Sequence, residues 1–326
     1  MESPLAHGTV RPERHRTPAR VNLSAIAFLS VTLPQLAGAP PAAAASVPRV
    51  AAPVTRACSL QTGEFAFRHR GEARIVRYFI PPGATSAMPA VVSLHGAGGG
   101  NAARQEQGTQ FSALGSRHGF IAVYPQSSSE THSDVWNVKP GSPDTDFVGA
   151  VVADLHVRGC SSPKNTYVNG FSMGAMLTSR LMCERGQLFA GATMVAGVLP
   201  PTPRCRVAPD KPILVLHGYR DTVVNWYGGL APAVEAATGR WAIFPYNRRA
   251  MAEQWAAAKG CTESVRRTQV GMTITIDYRC RGGASTTVLA FLTGGHTWTF
   301  PDQQIVTSQL INWMMNMRPT ITKPKK

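Results

Sequence analysis

Acidic residues are scarce in this chain of 326 residues, where 18 Asp and Glu against 33 Lys and Arg leave a formal net charge of +15. A charge of this size favours association with nucleic acid, acidic polysaccharide or anionic membrane surfaces. The basic residues are scattered, however, in runs of no more than two. Because nucleic-acid-binding surfaces concentrate Lys and Arg on one face, we predict no nucleic-acid partner and retain an acidic polysaccharide surface as a candidate partner.

Common metal-binding and nucleotide-binding motifs are also missing. No C-x-x-C or H-x-x-x-H pair occurs, so structural zinc is not expected. The chain has neither G-x-x-x-x-G-K-[ST] nor a G-x-G-x-x-G run followed by an acidic residue, which excludes the two usual phosphate cradles. We therefore predict no metal and no cofactor.

Long apolar runs are absent outside the N-terminal region, so no membrane span is predicted. Near the N-terminus, four arginines between Arg11 and Arg20 precede a short apolar segment, residues 25–33, and small residues follow through Ala45. This is the layout of a secretory signal, with a disordered tail as the alternative. We predict a signal peptide over residues 1–45, a single catalytic domain over residues 46–326 and a secreted protein. Cleavage near Ala45 removes four Arg and two Glu and leaves a charge of 15 − 2 = +13.

All six cysteines follow this segment, and an even number in an exported chain favours disulfides over buried free thiols. Cys261 and Cys280 flank a predicted β-hairpin, so we expect these two to pair. Such a bridge closes a loop of about twenty residues and contributes about 3 kcal/mol in the chain-entropy model.

Short apolar runs alternate with helical patterns through the middle of the chain. Hydrophobic residues make up 44% and charged residues 16%, as in globular proteins. Phe147, Val151 and Leu155 recur at the helical spacing of four. This alternation predicts an α/β protein with a mainly parallel, doubly wound sheet and helices on both faces. The predicted strands are residues 75–80, 90–94, 120–124, 166–171, 192–196, 212–216, 272–278 and 286–291.

The pattern G-x-S-x-G occurs at residues 170–174, after a predicted strand and before a predicted helix. In this context the pattern predicts a sharp turn that presents Ser172 as a nucleophile, with flanking glycines because space is short. The alternative is an ordinary turn in which Ser172 only caps the helix.

A second glycine-rich segment, residues 95–100, follows the predicted strand at residues 90–94. Backbone N–H groups that converge on one point stabilise the oxyanion of an acyl-transfer reaction, and glycine lets the backbone approach that oxygen. We predict the N–H of Met173 as one donor and that of Ala97 or Gly98 as the other. His95 is interpreted as a structural residue at the strand end.

A serine nucleophile needs a base and an orienting acid, in the chain order Ser, acid, His for this fold. After Ser172 only His217 and His296 remain, and His217 precedes every suitable acid. We predict His296 as the base and Asp221, in the loop after the strand at residues 212–216, as the acid. Asp210 is at the wrong end of that strand and Asp277 lies inside a predicted strand.

These motifs together resemble the secreted polyhydroxybutyrate-depolymerase-like and type B feruloyl esterase family. The resemblance rests on the G-F-S-M-G pattern at 170–174, the His95-Gly96 glycine run, His217-Gly218 leading to Asp221, and the G-H-T-W segment at 295–298, and it extends from about Cys58 to the last predicted helix. It implies an α/β-hydrolase that acts on esters, with Ser172 as nucleophile, Asp221 as acid and His296 as base. It also implies two further disulfides, Cys183–Cys205 and Cys58–Cys160.

We therefore expect a secreted serine esterase for short-chain or aromatic esters, such as acetyl or feruloyl groups on plant polysaccharide. Trp136 and Trp298 are candidate walls of the substrate site, with core packing as the alternative for each. Two other functions remain open: a polyhydroxyalkanoate depolymerase, and a non-catalytic cationic protein that binds cell walls. We expect crystalline polyester to be the poorer substrate, because no separate adsorption module follows Pro301.

Overall fold

A ten-stranded sheet forms the centre of the described structure. The computed structural model describes residues 55–128, 134–207, 210–229, 248–261, 265–280, 284–298 and 303–314, all within one compact unit, Pro53–Lys326. The predicted signal peptide and its cleavage site near Ala45 lie outside the described residues. The strands are β1 (Gly63–His69), β2 (Glu72–Phe79), β3 (Ala90–Leu94), β4 (Ile121–Pro125), β5 (Thr166–Phe171), β6 (Gly191–Val195), β7 (Ile213–Gly218), β8 (Val265–Val270), β9 (Thr273–Arg279) and β10 (Ser285–Phe291).

The strand order is β1-β2-β4-β3-β5-β6-β7-β10-β9-β8. The strands from β4 to β10 along this order pair in parallel, whereas β1 and β2 at one edge and β9 and β8 at the other pair antiparallel. The predicted mainly parallel sheet is therefore confirmed. Because parallel strands share a direction, the loops that follow β5, β7 and β10 emerge at the same edge of the sheet.

Helices cover both faces of this sheet. They are α1 (Ala102–Thr109), α2 (Phe111–His118), α3 (Pro143–Val157), α4 (Met173–Glu184), α5 (Arg248–Ala258) and α6 (Gln303–Met314). One apolar cluster contains Phe147 of α3, Met176 of α4 and Trp255 of α5, and a second contains Phe111 of α2 and Leu310 of α6. The predicted doubly wound arrangement is confirmed. Among the described helices, none combines the length and the apolar character needed to cross a bilayer.

The burial of the strands explains which of them the sequence predicts. Every residue of β3, β4 and β6 is buried, as expected for parallel strands covered on both faces. The predicted bounds at 90–94 and 166–171 coincide with β3 and β5. No strand was predicted at β1 or β8, because neither edge strand has a buried residue that would give its sequence an apolar pattern.

Three disulfides join the six cysteines: Cys58–Cys160, Cys183–Cys205 and Cys261–Cys280. These are the three pairs expected from the sequence and from the family resemblance. The first pair closes a separation of 102 residues and ties the N-terminal end of the described chain to the segment after α3. The second ties α4 to the loop after β6, and the third encloses β8 and β9.

Candidate active site

Ser172 lies on the tight turn between β5 and α4. Its φ of 53° places it in the left-handed region that non-glycine residues rarely adopt. Glycines make this turn feasible, because an added Cβ at Gly174 would lie 2.2 Å from the carbonyl oxygen of Leu94, and one at Gly170 would lie 2.2 Å from the carbonyl oxygen of Gly174. The side chain of Ser172 makes no capping hydrogen bond to α4. The turn therefore has the strained geometry predicted for a nucleophile rather than that of an ordinary helix cap.

His296 lies in the loop after β10 and connects Ser172 to Asp221. Its Nε2 is 2.9 Å from Ser172 Oγ, and its Nδ1 is 2.8 Å from Asp221 Oδ2. Asp221 comes from the loop after β7, so the three side chains meet where β5, β7 and β10 end. The arrangement has one consistent proton pattern, in which Nδ1–H donates to the carboxylate and Nε2 accepts from the serine hydroxyl.

The carboxylate of Asp221 is fully buried and surrounded by hydrogen-bond donors. Its Oδ1 accepts from the backbone N–H groups of Val223 and Val224, at 2.9 and 2.8 Å. Burial acts to raise the pKa of Asp221, but the hydrogen bonds from His217 and His296 outweigh burial and keep the pKa well below its ordinary value. Asp221 is therefore a permanently charged acceptor for His296 Nδ1–H.

His217 is a site residue that the sequence analysis rejected as the base and gave no other role. Its Nε2 lies 2.7 Å from the carbonyl oxygen of Val224 and 3.2 Å from Asp221 Oδ2. Two oxygen acceptors at one ring nitrogen require a hydrogen on that nitrogen, and this N–H donates mainly to the nearer Val224 carbonyl while it lies within contact distance of Asp221 Oδ2. The sequence signal was present in the adjacency of His217 to the loop that carries Asp221.

The glycine-rich segment after β3 runs beside Ser172. An added Cβ at Gly96 would lie 3.2 Å from Cβ of Ser172, and Ala97 and Gly98 are exposed next to it. Among the described residues, no acceptor is found for the backbone N–H groups of Met173, Ala97 or Gly98. The N–H of Met173 belongs to the first turn of α4, where backbone donors have no partner within the helix. The N–H of Met173 follows Ser172 directly in the chain, and the segment that carries Ala97 and Gly98 passes the Ser172 side chain at Gly96.

Side chains on both sides fix this segment. The N–H of Gly99 donates to Asp134 Oδ2 at 2.6 Å, and the guanidinium of Arg104 donates to the carbonyl oxygen of Gly99 at 2.6 Å. His95 Nδ1 is 2.9 Å from the carbonyl oxygen of Gly96, and His95 Nε2 accepts from the N–H of Ser127 at 3.2 Å. Burial lowers the pKa of His95 to about 4, so its ring is neutral at pH 7. His95 thus has the structural role that the sequence analysis gave it.

Trp136 does not have the exposed position predicted for a wall of the substrate site. Only 1% of its surface is exposed, and its indole N–H donates to the carbonyl oxygen of His95 at 2.8 Å. Its ring packs at 4.7 Å from the ring of His95. Trp136 therefore packs in the core against His95. Its ring is buried and its indole N–H has an acceptor in the His95 carbonyl, so it helps to hold the start of the glycine-rich segment.

Trp298 lines a cavity of about 260 Å³ together with the glycine-rich segment and Phe171, the residue before Ser172; Ser172 and His296 are not among its lining residues. The ring of Phe171 also lines this cavity and lies 5.1 Å from the ring of His296. Phe171 and Trp298 meet edge to face at 6.4 Å, and Arg104 and Gln105 of α1 complete the opposite side. The cavity thus joins the glycine-rich segment to an aromatic wall. Phe171, the second residue of the serine motif, was not predicted as a lining residue.

No cluster of three or more His, Cys, Asp or Glu side chains suited to a metal ion occurs within the described ranges. The chemistry available at the site comes from a serine hydroxyl, an imidazole, a carboxylate and backbone N–H groups. This set is able to carry out acyl transfer without a further group.

Comparisons with known proteins agree with this geometry. The family model described as esterase PHB depolymerase matches residues 75–208, a range that contains Ser172 and ends before Asp221. Feruloyl esterase B of Piromyces equi is 27% identical over 217 residues, which cover 64% of this chain and 40% of that protein. The putative esterase NocK of Nocardia uniformis subsp. tsuyamanensis is 32% identical over 253 residues, which cover 71% of this chain and 73% of that protein.

Among solved structures, an acetyl xylan esterase from Aspergillus awamori superposes with a TM-score of 0.51 at 18% identity, covering 69% of this chain and 89% of that one. At this identity the match establishes the fold, which is the α/β-hydrolase fold predicted from the sequence. Because the sequence similarity to NocK extends over nearly three quarters of that esterase, the chain belongs to the esterase PHB depolymerase family.

Proposed function

We propose that this chain is a secreted serine esterase in which Ser172, His296 and Asp221 form the catalytic triad. The observation that carries the proposal is the unbroken hydrogen-bonded path from Ser172 Oγ through His296 to Asp221, with contacts of 2.9 and 2.8 Å. The strained turn at Ser172 is independent support, because such strain is retained mainly where function requires it.

In the proposed first step, His296 Nε2 takes the hydroxyl proton as Ser172 Oγ forms a bond to the ester carbonyl carbon. The negative charge that develops on the carbonyl oxygen accepts hydrogen bonds from the N–H of Met173 and from that of Ala97 or Gly98. His296 then returns the proton to the departing alcohol as the bond between carbon and alcohol oxygen breaks. The product of this half-reaction is an acyl ester on Ser172.

In the second step, water takes the place of the alcohol. His296 removes a proton from the water as it attacks the acyl carbon, and then protonates Ser172 Oγ as the carboxylic acid leaves. Asp221 stabilises the imidazolium that exists in both steps. The low pKa of Asp221 supports this role, since the carboxylate stays charged throughout the working pH range.

The cavity at the glycine-rich segment favours short or aromatic acyl groups. At about 260 Å³ it lies just below the roughly 300–1,000 Å³ of most ligand sites, and the rings of Phe171 and Trp298 provide an apolar wall. Feruloyl esterase B, the relative from Piromyces equi, is named for an aromatic acyl ester. We therefore propose acetyl or feruloyl esters of plant polysaccharide as substrates, with polyhydroxyalkanoates as the alternative that the family description favours.

The triad is tested with Ser172→Ala and His296→Ala, assayed on p-nitrophenyl acetate. We expect kcat to fall by about 10⁶-fold, as for triad serines in other hydrolases, while the thermal unfolding temperature changes little. Ser116→Ala is the matched control, because Ser116 is exposed on α2 and distant from the site along the chain. Turnover close to that of the unmodified protein in either triad variant would refute the assignment.

The substrate class is tested with methyl ferulate, acetylated xylan and a polyhydroxybutyrate film. We expect faster hydrolysis of the first two. Rapid clearing of the film with negligible hydrolysis of the small esters would favour the polyester alternative. Failure on all three, with an intact fold, would favour the non-catalytic wall-binding function.

Secretion is proposed from the N-terminal pattern and from the three disulfides, which persist mainly in oxidising compartments. N-terminal sequencing of the protein recovered from the culture medium is expected to give a new terminus near residue 46. An intact Met1 on the active protein would contradict this proposal.

A further inference from the structure

A second cavity, of about 310 Å³, lies on the face of the sheet that α6 partly covers. Side chains of β8, β9 and β10 form its floor, and Gln309 and Trp313 of α6 form its side. None of its lining residues lines the cavity at the glycine-rich segment. One of them, Ser285, is the first residue of β10, whereas His296 follows the other end of that strand. The two cavities are therefore separate sites.

The floor of this cavity carries hydroxyl groups in cross-strand rows, beside the apolar side chains of Leu214, Val270 and Leu289. In one row, Thr287 of β10 pairs with Asp277 of β9, which pairs with Arg266 of β8. In the next, Thr275 of β9 pairs with Thr268 of β8. Alternate residues of a strand share a face, so these rows stand side by side on the same surface. The surface therefore combines hydroxyl groups, one carboxylate and one guanidinium with apolar side chains.

Several oxygen atoms in the cavity are arranged to accept hydrogen bonds. Thr287 Oγ1 donates to Asp277 Oδ1 at 2.6 Å, which orients the carboxylate. The other oxygen, Oδ2, is 4.0 Å from Arg279 Nε, too far for a hydrogen bond. Gln309 Oε1 is buried and has no hydrogen-bond partner within the described part of the chain. This atom is closed off from solvent, so the oxygens that a molecule in the cavity can reach are those of the threonine and serine hydroxyls and of Asp277.

The indole ring of Trp313 adds an apolar surface to this set of acceptors. An aromatic face beside a group of hydroxyl, amide and carboxylate oxygens is complementary to a pyranose ring, whose C–H face is apolar and whose edge carries hydroxyl donors. The carboxylate of Asp277 and the guanidinium-bearing Arg266 are cross-strand partners in the lining, so the cavity has no excess charge that would select a simple ion. A hydrocarbon chain would leave the polar atoms unpaired. The volume is at the lower end for ligand sites, which suits one or two sugar rings rather than a longer segment.

We propose that this cavity binds a sugar residue of a neutral polysaccharide and so holds the enzyme on its substrate polymer. The binding step does not depend on the triad and is testable without catalysis. If the proposed function is correct, this site would anchor the chain while Ser172 attacks ester groups elsewhere on the same surface.

The test uses native affinity electrophoresis of the full mature chain carrying Ser172→Ala, in gels with and without soluble arabinoxylan. We expect arabinoxylan to retard the protein. Trp313→Ala is expected to weaken binding by about tenfold, the upper end for one aromatic contact, and Thr275→Val, which removes a hydroxyl with little change in shape, by a few-fold. Thermal unfolding of each variant checks that the fold is intact.

Arg266 and Arg267 provide a matched pair, because they are neighbours on β8 with the same charge and only Arg266 lines the cavity. Arg266→Ala is expected to reduce retardation, and Arg267→Ala to leave it unchanged. Hydrolysis of p-nitrophenyl acetate by the same variants, with Ser172 present, is expected to be unaffected. This separates failure of the glycan site from failure of the proposed esterase activity.

Three outcomes would overturn the proposal. The first is the absence of retardation by arabinoxylan, dextran and other neutral polysaccharides. The second is retardation by polygalacturonate alone with equal strength in all variants, which would indicate bulk charge. The third is a dimer in size-exclusion chromatography that Trp313→Ala or Arg266→Ala converts to a monomer, which would make this face an interface between copies of the chain.

Discussion

Two buried charged groups, at opposite ends of the parallel strands, differ in how well their surroundings match their charge. Asp221, after the carboxyl end of β7, receives hydrogen bonds from two backbone N–H groups and two imidazoles. Lys259, near the amino end of β10, is 2% exposed, and the acceptors of its Nζ among the described residues are uncharged oxygens, the carbonyl of Ser285 at 3.1 Å and the hydroxyl of Thr286 at 3.3 Å.

The pKa values of the two groups shift in accordance with these surroundings. The hydrogen-bond donors around Asp221 outweigh its burial and lower its pKa, which favours the charged form. Burial lowers the pKa of Lys259 to about 8, against the weaker opposing attraction of Asp210 and Asp277, which disfavours the charged form. Burial alone therefore does not determine the charge state; the number and charge of the hydrogen-bonding partners do. The end of the strands at which donors surround the buried charge is the end that carries the proposed triad.

The largest effect is expected when the charge of Asp221, the group surrounded by donors, is removed. Asp221→Asn keeps the shape but leaves His296 without a charged partner, and we expect kcat on p-nitrophenyl acetate to fall by about 10⁴-fold, as in serine proteases with this change. Asp154→Asn is the control, because Asp154 makes a surface ion pair with Arg158 on α3. A loss of less than tenfold would show that the carboxylate of Asp221 does not orient the base.

The second test concerns the contribution of Lys259, which lacks a charged hydrogen-bond partner, to the pH dependence of stability. The pKa of Lys259 is about 8 in the folded protein against 10.5 ordinarily. Between these values the unfolded chain holds a proton that the folded chain has lost, so the free energy of unfolding rises with pH in this window and is unaffected below pH 8. The full rise is about 3 kcal/mol, from 1.36 kcal/mol per pKa unit. Lys259→Met is expected to remove the rise and to be more stable than the parent at pH 7.

Urea unfolding measured from pH 7 to pH 9.5 tests this prediction. Higher pH is avoided because burial raises the pKa values of Tyr78 and Tyr124, which lowers stability once tyrosines in the unfolded chain ionise. Lys211→Met is a suitable control, since Lys211 is only partly buried. Parallel pH profiles for the parent and Lys259→Met would show that Lys259 remains charged in the fold.

Differences in surroundings also explain which strands and helices could be predicted from the sequence. Buried parallel strands favour apolar runs, and the bounds predicted for β3 and β5 agree with the structure to the residue, although β5 also contains Asn169 and Gly170. The edge strand β8 has the sequence VRRTQV with no buried position, and tertiary pairing rather than an apolar pattern makes it a strand. Helix α1 was missed because its sequence, AARQEQGT, has little apolar periodicity, although Asn101 caps its first turn as a sequence signal would suggest.

The candidate site shows a similar division. Ser172, Asp221 and His296 follow strands in a fixed chain order, so position in the sequence was enough to select them. The positions of Trp136 and Phe171 depend on packing between segments far apart in the chain: Trp136 contacts His95, 41 residues away, and Phe171 contacts Trp298. Sequence spacing carries no information on which face of an aromatic ring remains open. For Trp136 the burial fits the core-packing alternative, and Phe171 was not assigned at all.

The smallest expected effect comes from His217, which contacts the carboxylate of Asp221 but not the reacting atoms. His217→Leu removes the Nε2–H contact to Asp221 Oδ2 and is expected to lower kcat by about tenfold, the size of one hydrogen bond to a charged group, while KM is unchanged. His217→Gln retains an N–H donor and is expected to recover much of the loss, a rescue that a purely structural role would not predict. Equal kcat values for the two variants, or a change confined to KM, would show that His217 fills space beside Asp221 without orienting it.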